Sequence, residues 1–557
     1  MNNTTFMGMG IAMRGLYSSQ RGMANVSHNV DNTNTPGYSR QVINQVASRP
    51  LLVANSGGML GMGSDVVSVD RVRDTFLDEK YWSESQYLGE WSVKSTLIED
   101  MQTVYNEPSE NGYTKIIDEF YSSLQTLSTD PSSQSTRAMV KEKGVAVAKY
   151  FNSVAEHFDN LQDDLNNMVN SKVTEVNNLA DQVRDLNLQI YNFEVLGNKA
   201  NDLRDRRGYL VDQLSSIVNC NAYETETGLK LPNGEPETRF MVTISGKALV
   251  DHENVAHLKC ESRTQNLNSE DINNLFSLSW EDGNKINIKS GELKGYLDMR
   301  DGNDGLLGLN GEKSPDAKGI PYYQRKMNEF VQTFAMSFNE GIMDSDGDGD
   351  YDKTNGHVDG YQLNSKTGDP ASGIRFFTML GSDGKPISSA DFDSQALAYA
   401  AQKGVTDDLA TPYDERLVKG YQSINARNFS ISFDIEDDPS NNISASSVPG
   451  EVGNNENLNN LTEMRHNAYM FKEGTPEDFV KTIISSLGVD GQQYAQYLDV
   501  QEGITSQIQN RRQSVSGVSI NEEMTNLVKY QQIYGASAKM IQTFSEVLDI
   551  LVNRLGI

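Results

Sequence analysis

The sequence has 557 residues, with 48 lysines and arginines against 77 aspartates and glutamates, which gives a formal net charge of −29. A chain of this length predicts several domains, and its negative charge repels phosphate backbones and anionic lipid surfaces. We therefore expect neither nucleic acid nor a membrane among the partners.

The two ends of the chain carry the same helical pattern. Near the N-terminus, steps of three and four residues connect Met9, Ala12, Leu16, Ser19, Met23, Val26 and Val30. Near the C-terminus, the same steps connect Ile520, Met524, Leu527, Gln531, Tyr534, Ala538, Ile541, Ser545, Leu548, Val552 and Leu555. A narrow apolar stripe of this kind needs a partner helix, so we expect the two terminal helices to pair. The alternative is an ordinary amphipathic helix on a separate domain at each end.

The segment "SHNVDNTNTPGYSRQ", from Ser27 to Gln41, follows the first helix. Pro36 ends any helix at or before the residue that precedes it, and Gly37 permits a tight turn. We predict a joint here that leads from the terminal helix to the rest of the chain, and Tyr38, Arg40 and Gln41 follow directly after its turn. The β-branched runs "RQVINQV" and "SDVVSVDRV" around the glycine-rich "GGMLGMG" predict extended or hairpin structure.

Helical and strand-like stretches alternate through the middle of the chain. A heptad pattern from Phe151 to Phe193 contains an eleven-residue step between Met168 and Leu179, which predicts a local unwinding of the supercoil. A second helix, "NDLRDRRGYLVDQLSSIV", follows the break at Gly197. The sequence between 221 and 297 is typical of β-sheet, and the sequence at 323–338 again predicts helix. The segment "NFSISFDIEDD" indicates a further strand. From "NNENLNNLTEMR" onward the pattern is helical.

These elements predict a multidomain α+β fold: an elongated, coiled-coil-like helical shaft built from both chain termini, with inserted β-rich outer domains. The predicted divisions are a terminal helical core (1–60 with 515–557), a helical shaft (61–220 with 296–343 and 450–514) and β-rich outer regions (221–295 and 344–449).

The sequence contains no catalytic motif that we can identify. The six histidines stand outside any HExxH or CxxC pattern, the glycine clusters lack the lysine of a phosphate loop, and no GxSxG elbow occurs. We therefore expect a protein that is not an enzyme and that requires no cofactor. Cys220 and Cys260 are expected to be free thiols, although pairing stays open.

One acidic run has the spacing of a calcium loop. In "DSDGDGDYDKTN" the aspartates at positions one, three, five and nine are Asp344, Asp346, Asp348 and Asp352. Position twelve is Asn355 instead of the bidentate glutamate, which would weaken binding. The alternatives are a structural calcium site and a solvated acidic loop.

Several segments resemble one known family. "ANVSHNVDNTNTPGYSRQ" is similar to the N-terminal signature of bacterial flagellar rod, hook and hook-associated proteins. "DVVSVDRVRDTFLDEKYWSES", "YNEPSENGYTKIIDEFYSSLQTLSTDP", "NDLRDRRGYLVDQLS" and "DGYQLNSKTGDPASGIRFF" resemble the hook-associated members of this family rather than its rod and hook members. The C-terminal run from "SGVSINEEMTNLVKY" to "LVNRL" completes the resemblance.

The resemblance implies a structural axial protein of the flagellum, exported to the cell exterior through the flagellar type III apparatus without a cleaved signal peptide. Its implied partners are further copies in a ring between hook and filament, the hook protein, a second junction protein and a cytoplasmic export chaperone on the C-terminal helix. The expected assembly residues are Leu16, Met23, Val26, Pro36, Gly37, Tyr38, Arg40, Leu527, Tyr534, Ile541, Leu548, Val552 and Leu555. The alternatives are another axial component, such as a hook or rod protein, and a calcium-dependent extracellular adhesin.

Overall fold

The computed structural model describes residues 4–52, 59–105, 112–230, 236–343, 353–405 and 415–554. Helices dominate it. They are α1 (Thr4–Asp31), α2 (Thr75–Tyr105), α3 (Tyr113–Thr129), α4 (Gln134–Glu194), α5 (Asn201–Ile217), α6 (Glu292–Asp301), α7 (Ile320–Glu340), α8 (Ser389–Gln402), α9 (Glu415–Tyr421), α10 (Phe433–Asp437), α11 (Pro439–Asn442), α12 (Glu456–Glu463), α13 (Pro476–Ser516) and α14 (Ile520–Asp549). No helix among these described residues has the length and apolar character needed to cross a membrane.

The strands form small antiparallel sheets. They are β1 (Gln41–Ala47), β2 (Leu51–Leu52), β3 (Met59–Leu60), β4 (Ser64–Arg71), β5 (Cys220–Lys230), β6 (Pro236–Ile244), β7 (Lys247–Asp251), β8 (Asn254–Val255), β9 (Leu258–Ser262), β10 (Phe276–Trp280), β11 (Phe377–Met379) and β12 (Phe429–Ile431). Strands β5 to β8 form a four-stranded meander, and β1 with β4, β2 with β3, β9 with β10 and β11 with β12 form two-stranded sheets. The register of β1 and β4 shifts between Asn44 and Gln45. The extended or hairpin structure predicted for the runs on either side of "GGMLGMG" is confirmed, since β1 and β4 pair in antiparallel orientation.

A first core surrounds Phe330 of α7. Its ring stacks on Phe151 of α4, with centroids 5.1 Å apart, and on Phe471, at 5.0 Å. Buried side chains from six further elements join this core: Ile98 of α2, Ile117 of α3, Phe377 of β11, Ile431 of β12, Leu458 of α12 and Ile483 of α13. The helices and the short sheet β11/β12 therefore share one apolar interior.

A second core lies beside the C-terminal half of α4. It contains Val176 of α4, Leu214 of α5, Val242 of β6 and Val250 of β7, all of them fully buried. Helix α4 thus belongs to both cores. Cys220, at the start of β5, is buried here as a free thiol and Cys260 is a second free thiol, and burial raises the pKa of the Cys220 thiol to about 12.

The row of α4 that faces these cores differs from the predicted one at Met168 and at Phe193, which is 46% exposed. Met168 is half exposed, whereas Val169 is fully buried. The buried row runs through Leu165, Val169, Val173 and Val176, in steps of four, four and three. The predicted irregularity in the heptad is present, but the helix is continuous and a smaller β-branched side chain occupies the inner position.

The prediction of a β-rich region at 344–449 is wrong for the part of it that the structure describes. Its paired strands there are the three-residue β11 and β12, and the rest is helix and loop. The alternating pattern of "NFSISFDIEDD" misled because Ser432 caps a new helix by accepting a hydrogen bond from the backbone N–H of Asp434. By contrast, 221–295 contains β5 to β10, as predicted. The exact domain boundaries stay a prediction.

Candidate assembly interface

The two terminal helices pack against each other in antiparallel orientation. Three glycines of α1 let the two helices approach closely. Gly8 lies against Phe544, Gly15 against Ser537 and Gly22 against Tyr530. A Cβ atom on Gly22 would lie only 2.6 Å from Cε1 of Tyr530. Because each glycine is seven residues from the next, one face of α1 presents bare backbone to α14.

This glycine face displaces the predicted seam of α1 by one position. Val26 is buried, as are Ala12 and Ser19, but Leu16 and Met23 are half buried. The glycines take the place against α14 that the larger side chains were expected to fill. Leu16 and Met23, which were predicted to be assembly residues, therefore lie beside the contact between α1 and α14 rather than inside it.

The predicted residues of α14 and its C-terminal extension also retain exposure. Leu527, Ile541 and Leu548 are half buried, and Tyr534 is 38% exposed. Val552 is 68% exposed, in the π-helical turn that follows α14, and Leu555 lies outside the described residues.

A second row on α14 is more open. Ile533, Met540 and Val547, spaced seven residues apart, are 40, 48 and 42% exposed. Among the described side chains of α1, β1, β4 and α14, the buried apolar ones are Ala12, Val26 and Ile43. This terminal unit therefore has almost no apolar core of its own.

The predicted joint follows α1. Pro36 is exposed, and Gly37 adopts a positive φ of 77°. A Cβ atom on Gly37 would lie 2.7 Å from the Cβ of Tyr209 in α5, so both the backbone conformation and the space require glycine.

Asn29 connects the end of α1 to the first strand. Its amide is fully buried, and it donates to the carbonyl of Gln41 at 2.9 Å while its Oδ1 accepts from the N–H of Gln41 at 3.0 Å. The hydroxyl of Tyr38 also donates to this oxygen, at 2.8 Å. Burial and the nearby Asp202 raise the pKa of Tyr38. Gln41 is buried inside the chain, and its Nε2 donates to Asp202 at 2.6 Å.

Asp205 of α5 holds the joint against the shaft helices. Its carboxylate accepts hydrogen bonds from the backbone N–H of Ser39 at 2.8 Å and from its hydroxyl at 2.9 Å. Arg71 contributes a third bond, at 3.0 Å, and Arg73 a fourth, at 3.4 Å. The side chain of Asp205 is 4% exposed, so these donors replace the water that it loses.

A second charged cluster attaches the end of α13 to the same place. Arg512 bonds Asp78 of α2 at 2.9 Å and Asp212 of α5 at 3.0 Å. The indole of Trp82 donates to Asp212 at 2.6 Å. Burial raises the pKa of Asp212, although Arg512 and Arg73 favour its ionised form.

Arg40 fixes the linker between α13 and α14. Its backbone N–H donates to the carbonyl of Ser516 and its guanidinium to Glu522, both at 2.8 Å. The joint therefore fastens the start of α14 to the end of α13. In this chain Tyr38 and Arg40 both have intramolecular partners.

Sequence reasoning placed the joint but missed Asp205, Asp212 and Arg512. The dense charge of "NDLRDRRGYLVDQLS" is the one signal in the sequence for Asp205 and Asp212, and it does not include Arg512. The proposed calcium ligands Asp344, Asp346, Asp348 and Asp352 lie outside the described residues. Within the described ranges no three His, Cys, Asp or Glu side chains are grouped to hold a metal ion.

Two family models match the chain. The model for the flagellar hook-associated protein FlgK helical domain matches residues 98–351. The model for the flagellar basal body rod FlgEFG protein C-terminal region matches residues 509–555, which contain the end of α13 and all of α14.

Relatives and a solved structure agree with these models. The chain is 27% identical to flagellar hook-associated protein 1 of Bacillus subtilis, over 100% of this chain and 99% of that protein. It is 25% identical to the protein of the same name in Salmonella typhimurium, over 97% of this chain and 98% of that protein. Its fold is similar to that of the flagellar hook junction protein FlgK from Burkholderia pseudomallei, with a TM-score of 0.50 and 12% identity over 79% of this chain and all of that one. The family models and the full-length relatives together support a flagellar hook-associated protein 1, a structural protein of the bacterial flagellum.

Proposed function

We propose that this chain forms the ring of subunits that joins hook and filament, and that neighbouring copies assemble by covering the apolar rows of their terminal helices. The observation that carries the proposal is the exposure of Ile533, Met540 and Val547 on a helix pair that buries almost no apolar side chain. In a monomer these three side chains are exposed to water, whereas in a packed ring neighbouring copies would cover them.

Covering the exposed row of α14 lowers the free energy of the assembled state. Fully burying a Val, Ile or Met side chain contributes about 1.5–3 kcal/mol, so three half-exposed side chains contribute about 2–4 kcal/mol per copy. Each contact in a ring is repeated around the circle. This burial is one favourable contribution among several, because ordering helices of 28 and 30 residues costs about 1–2 kcal/mol per residue.

The proposal includes specific partners. The hook protein lies on one side of the ring and a second junction protein on the other. Before export, a cytoplasmic chaperone covers α14, because its exposed row would otherwise drive association of copies inside the cell. Export needs no cleaved signal peptide and assembly needs no cofactor.

A strain that lacks this chain tests the assignment. We expect hooks without filaments by electron microscopy, with filament subunits released to the medium. Loss of the hooks themselves would identify a hook or rod component instead. Normal filaments and motility would contradict the axial role altogether and favour the adhesin alternative.

Complementation of that strain tests the exposed row. Met540→Glu places a charge in the row, and we expect stable secreted protein but few or no filaments. The control is Gln532→Glu, because Gln532 is exposed and lies on the side of α14 opposite Tyr530. Equal filament numbers with both variants would show that the row is not an assembly surface.

A further inference from the structure

A small cavity lies at the edge of the first core, where α4 and α7 meet two loops. Its volume is about 40 Å³, which is enough for an ion and about two water molecules. Val154, Phe158 and Met327 form its apolar side. Its polar side includes Glu270, from the loop between β9 and β10, and Gln324 of α7. A ligand bound here would therefore connect segments that are far apart in the sequence.

Two buried oxygen atoms in the polar side of this cavity lack a donor. Glu270 is 8% exposed and Gln324 is 4% exposed. Oε1 of Glu270 accepts from the hydroxyl of Ser269 at 2.6 Å, and Nε2 of Gln324 donates to Asp159 at 2.7 Å. The other oxygens, Oε2 of Glu270 and Oε1 of Gln324, have no hydrogen-bond partner among the described residues. Because an unpaired buried acceptor is destabilising, the two oxygens indicate a ligand that satisfies both.

The charges around the cavity leave one negative charge without compensation. The guanidinium of Arg427 donates to both carboxylate oxygens of Asp159, at 2.7 and 2.5 Å, so these two groups neutralise each other. Arg427 also donates to the backbone carbonyl of Glu270, at 2.5 Å, rather than to its carboxylate. A buried carboxylate is unfavourable without a positive partner, and a single positive charge in the cavity provides one.

The available ligand atoms suit a small monovalent cation. Carboxylate and amide oxygens are hard donors, which favour hard cations over transition metals. Asn328 and Asn425 also line the cavity, and each Oδ1 accepts one backbone N–H and keeps a second lone pair. The part of the chain that the structure describes has no group of three His, Cys, Asp or Glu side chains suited to a metal ion, and the nearby Arg427 repels a doubly charged ion.

We propose that this cavity binds sodium or potassium through Oε2 of Glu270 and Oε1 of Gln324. The bound ion connects the loop between β9 and β10 to α7, and it stabilises the first core. The site is separate from the terminal helices and does not depend on the proposed ring assembly.

Thermal unfolding of the full chain tests the site. Sodium, potassium and choline chloride are compared at about 100 mM, since choline keeps the ionic strength constant and is too large for the cavity. The midpoint should be about 1–3 °C higher in sodium or potassium chloride than in choline chloride. Glu270→Gln removes the charge without changing the shape, and it should abolish this difference. Glu261→Gln, at a side chain that is 57% exposed, is the matched control and should retain it.

Hydrogen exchange of the unaltered chain is a second measurement that needs no variant. Exchange of the amides from 268 to 272 should be slower in sodium or potassium chloride than in choline chloride, whereas the amides from 37 to 41 should not change. A response to one of the two metal ions alone supports the proposal and identifies the ion. Equal midpoints and equal exchange in all three salts overturn it, as does a salt difference that Glu270→Gln retains.

Discussion

At the scale of single residues, Asp205 is the buried carboxylate that connects the joint to α5. It lies 166 residues from Ser39 in the sequence, yet its carboxylate accepts hydrogen bonds from both the backbone N–H and the hydroxyl of Ser39. Removing one partner from a buried cluster of a carboxylate and two arginines strongly destabilises the fold, because the remaining charge stays buried without compensation.

Asp205→Ala is expected to release the joint from the shaft. Loss of the carboxylate leaves Arg71 and Arg73 without their shared acceptor, at a cost of about 3–5 kcal/mol. Hydrogen exchange of the amides from 37 to 41 measures the effect as faster exchange. Asp185→Ala is the control, since the side chain of Asp185 is 57% exposed on α4 and its loss costs below about 1 kcal/mol. Equal exchange in the two variants would contradict this role.

His357 makes a pH-dependent contribution in the first core. It is fully buried, its Nδ1 lies 2.7 Å from the carbonyl of Ile374, and its Nε2 accepts from the N–H of Ser444 at 3.0 Å. Burial lowers the pKa of His357 from about 6.5 to about 4. The unfolded chain therefore takes up a proton at a higher pH than the folded chain, and stability is lost as the pH falls from 6.5 towards 4.

We expect this single group to reduce the free energy of unfolding by about 3 kcal/mol between pH 7 and pH 4. Denaturant unfolding of the protein at several pH values measures the slope. His357→Gln should make the stability less dependent on pH over this range, and His466→Gln, at an exposed position, is the control for the loss of a histidine. Identical slopes in all three proteins would refute the assignment.

The limits of sequence reasoning are clear at this scale. Pro36 and Gly37 predicted the turn because their effects are local to the backbone. Asp205 could not be chosen from the many carboxylates of an acidic chain, because its importance depends on partners that only the fold brings near. His357 was likewise one of six similar histidines until burial distinguished it.

At the scale of elements, the pairing of α1 with α14 shows what periodicity can and cannot locate. The three-four spacing identified both helices and the positions of Ala12, Ser19 and Val26. It favoured Leu16 over Gly15, since apolar side chains were sought and glycine has none. Helices α1 and α14 approach most closely at glycines, which have no side chain. A search for apolar side chains therefore does not detect these contact positions.

Substitutions of glycine in α1 should therefore have opposite signs. Gly10 has no atom within 4 Å of a Cβ placed on it, so Gly10→Ala should stabilise the helix by about 0.5–1 kcal/mol. Gly22→Ala should instead separate the helices, because its methyl group would meet the ring of Tyr530. Hydrogen exchange of the α14 amides reports the difference. Stabilisation by both variants would disprove the close contact.

At the scale of the whole molecule, the net charge of −29 opposes every contact between copies. Raising the ionic strength from about 10 mM to about 150 mM shortens the Debye length from about 30 Å to about 8 Å. We expect self-association of the purified chain, followed by light scattering, to accelerate over this range. Sucrose of equal osmolality is the control. A rate that falls with salt would show that opposite charges, rather than apolar rows, draw the copies together.

Helix α4 gives the molecule a mechanical property. Its 61 residues extend about 90 Å, and the last of its buried side chains in the first core, Leu165, is followed one turn later by Val169 in the second. No loop intervenes between the two cores, so a twisting or bending load on one reaches the other along an unbroken column of backbone hydrogen bonds. Relative motion of the cores must then strain that column at Leu165–Val169, and the shaft should respond to load as a spring rather than as a hinge.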